Sequence, residues 1–185
     1  MPDIDDRDDE TQMVRRARRG QEAAFAEIYR RHARAIHSLA LRLTGNHATA
    51  EDITQECFLK MLQFLGGLRP GTPLRPWLKR VAANAVIDRI RRDRRLVALD
   101  DDDAQPADGQ EPALHAESIG LLRRLTPLER TVIWLHAMEG WSHPELGRRF
   151  GHSESWSKSI VSRGLSRLRL ELDEHVNETH SHDDP

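Results

Sequence analysis

Between Leu96 and Glu117 the chain carries seven acidic side chains and no Lys or Arg. Asp100 to Asp103, then Pro106, Asp108-Gly109 and Glu111-Pro112, offer almost nothing to bury. Such a segment cannot offset the entropy of ordering itself. It predicts a disordered acidic linker (96–117) that divides the 185 residues into two small domains. Fully extended, the 22 residues of this linker reach about 75 Å.

Charge follows the division. Residues 1–12 hold six acids and one Arg and are expected to form an acidic disordered tail. Residues 13–95 and 118–172 are net basic, and 173–185 add five acids in a second expected tail. The overall charge of −2 therefore conceals two basic blocks flanked by acid, which suggests two nucleic-acid-binding modules.

Ala, Leu, Arg and Glu dominate, aromatics are few, and β-branched residues are sparse, which predicts an all-α fold of two small helical domains. One cysteine, Cys57, excludes an internal disulfide and fits a reducing cytoplasm. The acidic N-terminus is unlike a signal peptide, and no apolar run reaches membrane-span length. A cytoplasmic protein with no membrane contact is expected. No nucleophile–base motif or phosphate-binding glycine loop occurs, so no enzyme and no cofactor are expected. His175, His180 and His182 beside Asp183 and Asp184 match no metal-site spacing and read as a polar tail, with no metal expected.

The periodicity predicts a short helix over 12–19 stopped by Gly20, then a longer one over 21–43 stopped at Gly45. A third starts near Thr49, where Thr49-Ala50-Glu51-Asp52 resembles a capping box with Thr49 as cap. Ile53, Cys57, Phe58, Met61, Leu62 and Leu65 form its apolar stripe, leaving Glu51, Asp52, Gln55, Glu56 and Lys60 opposite. Cys57 is expected to pack rather than react. Gly66 to Pro73 is a loop by composition and leads into a basic helix over 74–95. There Trp77, Leu78, Val81, Ala82, Ala85, Val86 and Ile90 would face a core, while Arg80, Asn84, Asp88 and Arg91 share another stripe. An Arg/Asn face suits nucleic acid, because Arg holds phosphate and Asn reads base edges.

The C-terminal block is punctuated clearly. Thr126-Pro127-Leu128-Glu129 combines an N-cap, Pro at the first helical position and Glu three residues after the cap. Ser142-His143-Pro144-Glu145 repeats the logic for a short helix ending near Phe150 and stopped by Gly151, with Gly147 permitting close approach of another helix. A third helix starts near Ser153. Short helix, tight turn and polar helix make a helix-turn-helix.

These stretches together resemble an ECF (extracytoplasmic-function, group IV) sigma factor of the sigma-70 family. AFAEIYRRH (24–32), AEDITQECFLK (50–60) and PWLKRVAANAVIDRIRR (76–92) resemble sigma region 2, placed at 13–95. LTPLERTVIWLHAMEGWSHPELGRRFG (125–151) and the serine-rich helix after it resemble region 4, placed at 118–172. The resemblance implies that Glu51, Asp52, Gln55 and Glu56 dock on the β′ clamp of core RNA polymerase, with the β flap as a second contact. It implies that Asn84 approaches −10 bases while Arg80, Arg89, Arg91 and Arg92 hold phosphates, and that the loop 66–74 captures a flipped base. Ser155, Lys158, Ser159 and Arg163 would read the −35 element. Promoter DNA and, as regulators, an anti-sigma factor or a Ser/Thr kinase are the remaining implied partners.

Two departures from the family pattern stand out. Thr49 replaces a common acid, which makes it a candidate phosphorylation site, with Thr54 competing. Trp156-Ser157-Lys158-Ser159-Ile160 stands where Thr-Val-x-Ser-Arg is usual, implying either a rotated helix with Trp156 and Ile160 in the core or apolar contacts in the groove. The alternative function is a stand-alone helix-turn-helix regulator whose residues 1–95 serve dimerisation or sensing.

Overall fold

The computed structural model describes residues 4–69, 71–97, 120, 122 and 124–180. Among them the regular structure is helical: α1 (Ile4–Arg18), α2 (Glu22–Thr44), α3 (His47–Phe64), a 3-10 turn (Leu65–Gly67), α4 (Leu74–Val97), α5 (Pro127–Ala137), α6 (His143–Phe150) and α7 (Glu154–His180). The chain divides into two compact units, Met1–Asp88 and Arg89–Pro185. That division falls inside α4, earlier than the boundary at Arg95 suggested by composition. Apart from Leu96 and Val97, the acidic run 96–117 lies outside the described residues.

In the N-terminal unit α1 and α3 both pack on α2. Helix α2 ends at Gly45 (φ 68°), whose N–H donates to Leu41 O at 2.7 Å. The left-handed backbone is one that glycine adopts without a Cβ penalty. Two residues later α3 begins, capped by Asn46 rather than Thr49: Asn46 Oδ1 accepts from the Thr49 N–H at 2.9 Å. A short carboxamide immediately before the helix reaches the third helical amide, leaving Thr49 inside the first turn.

The acidic N-terminal segment is also not the tail expected, because α1 starts at Ile4 rather than Gln12. Two of its acids, Asp9 and Glu10, find partners far along the chain. Asp9 pairs with Arg31 at 2.9 Å, and Glu10 Oε1 lies 3.0 Å from His32 Nε2, a buried side chain of α2. Glu10 Oε2 accepts from the Leu74 N–H at 3.1 Å. Burial pushes the Glu10 carboxyl up, but His32, the Leu74 N–H and Arg31 outweigh it and hold the group below its ordinary value of 4.5. A carboxyl with a lowered folded pKa contributes stability above its unfolded pKa and loses it as pH falls through the folded value. The stability difference between wild type and Glu10→Gln, measured by urea unfolding, is therefore expected to be full above about pH 4.5 and to shrink below it.

Helix α4 buries more than a single stripe. Leu74, Leu78, Ala82, Ala83, Ala85, Val86, Ile87 and Ile90 are buried, whereas Trp77 and Val81 are half-buried. From Ala82 to Ile87 Asn84 alone is not fully buried. On α3, Ile53, Cys57, Phe58, Met61 and the following Leu65 enter the core as the periodicity predicts, but Leu62 is 44% exposed. Burial pushes the Cys57 thiol up to about 12, so thiolate is scarce at neutral pH and the residue packs.

In the C-terminal unit α7 packs against both α5 and α6. The capping box at α5 is complete, with Thr126 Oγ1 accepting from the Glu129 N–H at 3.3 Å and Glu129 Oε2 accepting from the Thr126 N–H at 3.1 Å. Ser142 caps α6, and Gly151 (φ 77°) ends it. Helix α7 continues to His180, past the end at 172 suggested by composition.

Candidate nucleic-acid and polymerase interfaces

Glu51, Asp52, Gln55 and Glu56 are all exposed along α3, and Glu56 Oε1 pairs with Lys60 at 2.6 Å. Beside them Leu59 is 59% and Phe64 58% exposed, and with Leu62 they add an apolar extension to the acidic face. Periodicity missed this surface because Leu62 also fits the inward stripe, while Leu59 recurs with Asp52 and Gln55 at spacings of seven and four. Thr49 is half-buried at the start of the same helix. Thr54 is buried, and its Oγ1 donates to Ala50 O at 2.7 Å.

On α4, Arg80 and Arg92 are exposed and Arg89 and Arg91 half-buried. Asn84 sits half-buried with Oδ1 buried and without a hydrogen-bond partner among the described residues. A buried carboxamide oxygen left in this state is costly. Ahead of α4, Arg69 O accepts from the Thr72 N–H at 3.1 Å and Gly71 has φ 78°, a turn with glycine at its third position.

The register of α7 is fixed by its buried side. Ser157, Ile160 and Gly164 point inward. Ser155, Lys158, Ser159 and Arg163 are brought together on the exposed side. Ser157, at the position where the resemblance implied Val, lies on the buried side. Its buried hydroxyl oxygen lies 3.1 Å from His143 Nδ1, and that contact makes burial tolerable. Ile160 packs inside, and Trp156 is half-buried, stacked on His152 with centroids 4.4 Å apart and tilted against Phe150 at 5.3 Å. Burial, the neighbouring His136 and Lys158 lower the His143 pKa, which suits a neutral ring stacked on His136 at 4.1 Å. Lys158 pairs with Glu154 at 2.6 Å and pulls that carboxyl below its ordinary range.

Gly147 meets the turn rather than another helix. A Cβ there would stand 2.7 Å from Ser153 O and 2.9 Å from His152 O. Helix-to-helix approach occurs instead at Gly164, where a Cβ would stand 2.5 Å from Ile133 Cδ1.

Two family models match the chain: Sigma-70 region 2 over residues 28–96 and Sigma-70, region 4 over residues 119–168. The RNA polymerase sigma factor CarQ of Myxococcus xanthus is 35% identical over 167 residues, spanning 87% of this chain and 96% of CarQ. The ECF RNA polymerase sigma factor SigE of Mycolicibacterium smegmatis is 35% identical over 173 residues, spanning 86% of this chain and 67% of SigE. The chain belongs to the ECF sigma factors. As an alternative sigma factor it directs transcription initiation. Its fold agrees with a solved structure of CnrH in complex with the cytosolic domain of CnrY, at a TM-score of 0.51 and 26% identity, covering 89% of this chain and 97% of CnrH. Among the described residues no helix of this sigma factor is long and apolar enough to cross a membrane.

Proposed function

We propose that this cytoplasmic sigma factor, without catalytic activity or cofactor of its own, divides its work among three helices. The acidic face of α3 (Glu51, Asp52, Gln55 and Glu56, extended by Leu59 and Leu62) docks on the β′ clamp of core RNA polymerase. Helix α4 and the loop before it engage the −10 element, with Arg80, Arg89, Arg91 and Arg92 on phosphates and Asn84 approaching a base. Helix α7 reads the −35 element through Ser155, Lys158, Ser159 and Arg163, with the unit 118–172 resting on the β flap. The segment 96–117 spans the two promoter elements.

The observation that carries this reading is the exposed Ser155/Lys158/Ser159/Arg163 face of α7, opposite buried Ser157, Ile160 and Gly164. A hydrogen-bonding and basic face of this kind suits a major groove. Regulation falls to a protein partner, an anti-sigma factor, or to a Ser/Thr kinase acting on Thr49. CnrH was solved with a bound protein domain, which supports the former. Half-burial of Thr49 against the buried, hydrogen-bonded Thr54 favours Thr49 as the phosphate acceptor.

Separation of function tests the division. Lys158→Ala with Arg163→Ala is expected to lower the slope of log affinity against log salt for promoter DNA, by about one for each phosphate no longer neutralised. Affinity for core polymerase should stay unchanged in that variant. Glu51→Ala with Asp52→Ala should weaken core binding with no change in the salt slope. Loss of both readouts in either variant would contradict the division.

A further inference from the structure

Two side chains of α1 reach the opposite ends of the segment that joins α3 to α4. Helix α3 passes into its 3-10 turn at Leu65 without a glycine stop, and the carbonyls of such a helix end have no partner within the helix. Arg18 holds the turn that follows at both of its ends: Nε donates to Leu65 O at 2.6 Å, and Nη2 donates to the O of Leu68, the residue after the turn. At the other end α4 starts after Pro73, a residue with no side-chain acceptor to cap the helix. Glu10, from α1, supplies that acceptor to the Leu74 N–H. A cation thus sits at the carbonyl end and an anion at the amide end, each matching the local helix dipole.

The two side chains are spaced to span the segment. Positions 10 and 18 are separated by about 12 Å of helix. Helix α1 is itself tied to α2 through Asp9–Arg31 at 2.9 Å and Arg16–Glu27 at 3.2 Å. Between the anchors, the Arg69–Thr72 turn closes the loop on itself, leaving Arg69 exposed.

We propose that Glu10 and Arg18 are positioning residues for −10 recognition: they hold the loop backbone at both ends so that Arg69 and Thr72 are presented preorganised to an unstacked base. This rests on the assignment of that loop to the −10 element. Neither residue touches DNA. Without the anchors the loop samples other arrangements, and apparent affinity falls by the fraction of time spent in the competent one.

The test is selection from a duplex library randomised at both promoter elements, using holoenzyme reconstituted from full-length protein and core polymerase. The −35 preference, set by the other unit, is the internal control. Arg18→Ala, at an exposed residue whose loss leaves the core intact, and Glu10→Ala are each expected to cut enrichment of preferred over disfavoured −10 bases about tenfold, the effect of a loop competent a tenth of the time. Enrichment at −35 should stay at the wild-type level, and Arg18→Lys, which keeps a cation and one donor, should be intermediate. Wild-type −10 enrichment in both Arg18→Ala and Glu10→Ala would overturn the proposal. So would a parallel fall at −10 and −35, the mark of a general loss of fold or polymerase binding. The double variant Arg69→Ala/Thr72→Ala separates the failures. If it loses −10 preference while the α1 variants keep it, the positioning role alone is wrong. If it keeps that preference, the loop assignment fails and the positioning role with it.

Discussion

Arg130→Ala should destabilise the C-terminal unit by about 3–5 kcal/mol, the combined range for orphaning buried acceptors and opening a large cavity. Arg130 is 1% exposed. Its Nε donates to Leu122 O at 2.9 Å and its Nη2 to Leu125 O at 3.0 Å, joining the chain before the helix to the body of α5. Truncation leaves these acceptors without their guanidinium donors and opens a cavity, and the two costs add. Lysine is a poor substitute because its compact ammonium cannot reproduce the fork that meets both carbonyls. Three of the four tryptophans (Trp134, Trp141 and Trp156) lie in this unit, so fluorescence-monitored melting follows it. A fall of roughly 12 °C or more in its midpoint is expected. An unchanged midpoint would show that the buried guanidinium holds nothing together.

Gly147→Ala is the second large effect. In an unconstrained helix alanine gains about 1 kcal/mol over glycine. Here the added Cβ meets backbone atoms of His152 and Ser153, including a carbonyl oxygen at 2.7 Å, and backbone cannot rotate away. The clash outweighs the propensity gain, for a net loss of about 1–3 kcal/mol. Relief requires the turn between α6 and α7 to shift, which moves the helix carrying Lys158 and Arg163. Affinity for −35 duplex should therefore fall together with stability. Gly164→Ala is the contrast, because its Cβ meets the end of the Ile133 side chain, which can swing aside. Equal or greater stability of Gly147→Ala in urea unfolding would contradict the close approach.

Local punctuation was the most legible part of the fold. The box at Thr126–Glu129, the cap at Ser142 and the stops at Gly45 and Gly151 depend on residues within a few positions of one another, and the structure has each of them. Features set by distant partners were not legible. The acidic segment before Gln12 becomes helix because Asp9 and Glu10 find Arg31, His32 and the Leu74 amide, up to 64 residues away. Ala83 and Ile87 are buried because α4 is covered on more than one side, and Leu62 is exposed although its spacing fits the core stripe. At α3 only Thr49 looked like a cap, and the helix starts earlier, at His47, because Asn46 directly after the Gly45 stop caps it. Among the candidate contact residues, the α3 group falls on the exposed face that its stripe suggested, and the α7 group is exposed as well. Asn84 is partly buried because the breadth of the α4 core is a tertiary property.

The most direct test is transcription in vitro with purified bacterial core polymerase, on duplex promoters recovered by selection with the reconstituted holoenzyme. With this protein added, transcripts are expected from a defined start site. They should be absent with core alone, and lost when Glu51, Asp52, Gln55 and Glu56 are all replaced by alanine. Promoter binding by the protein alone, with no transcript from the combination, would contradict the account and identify a stand-alone helix-turn-helix regulator.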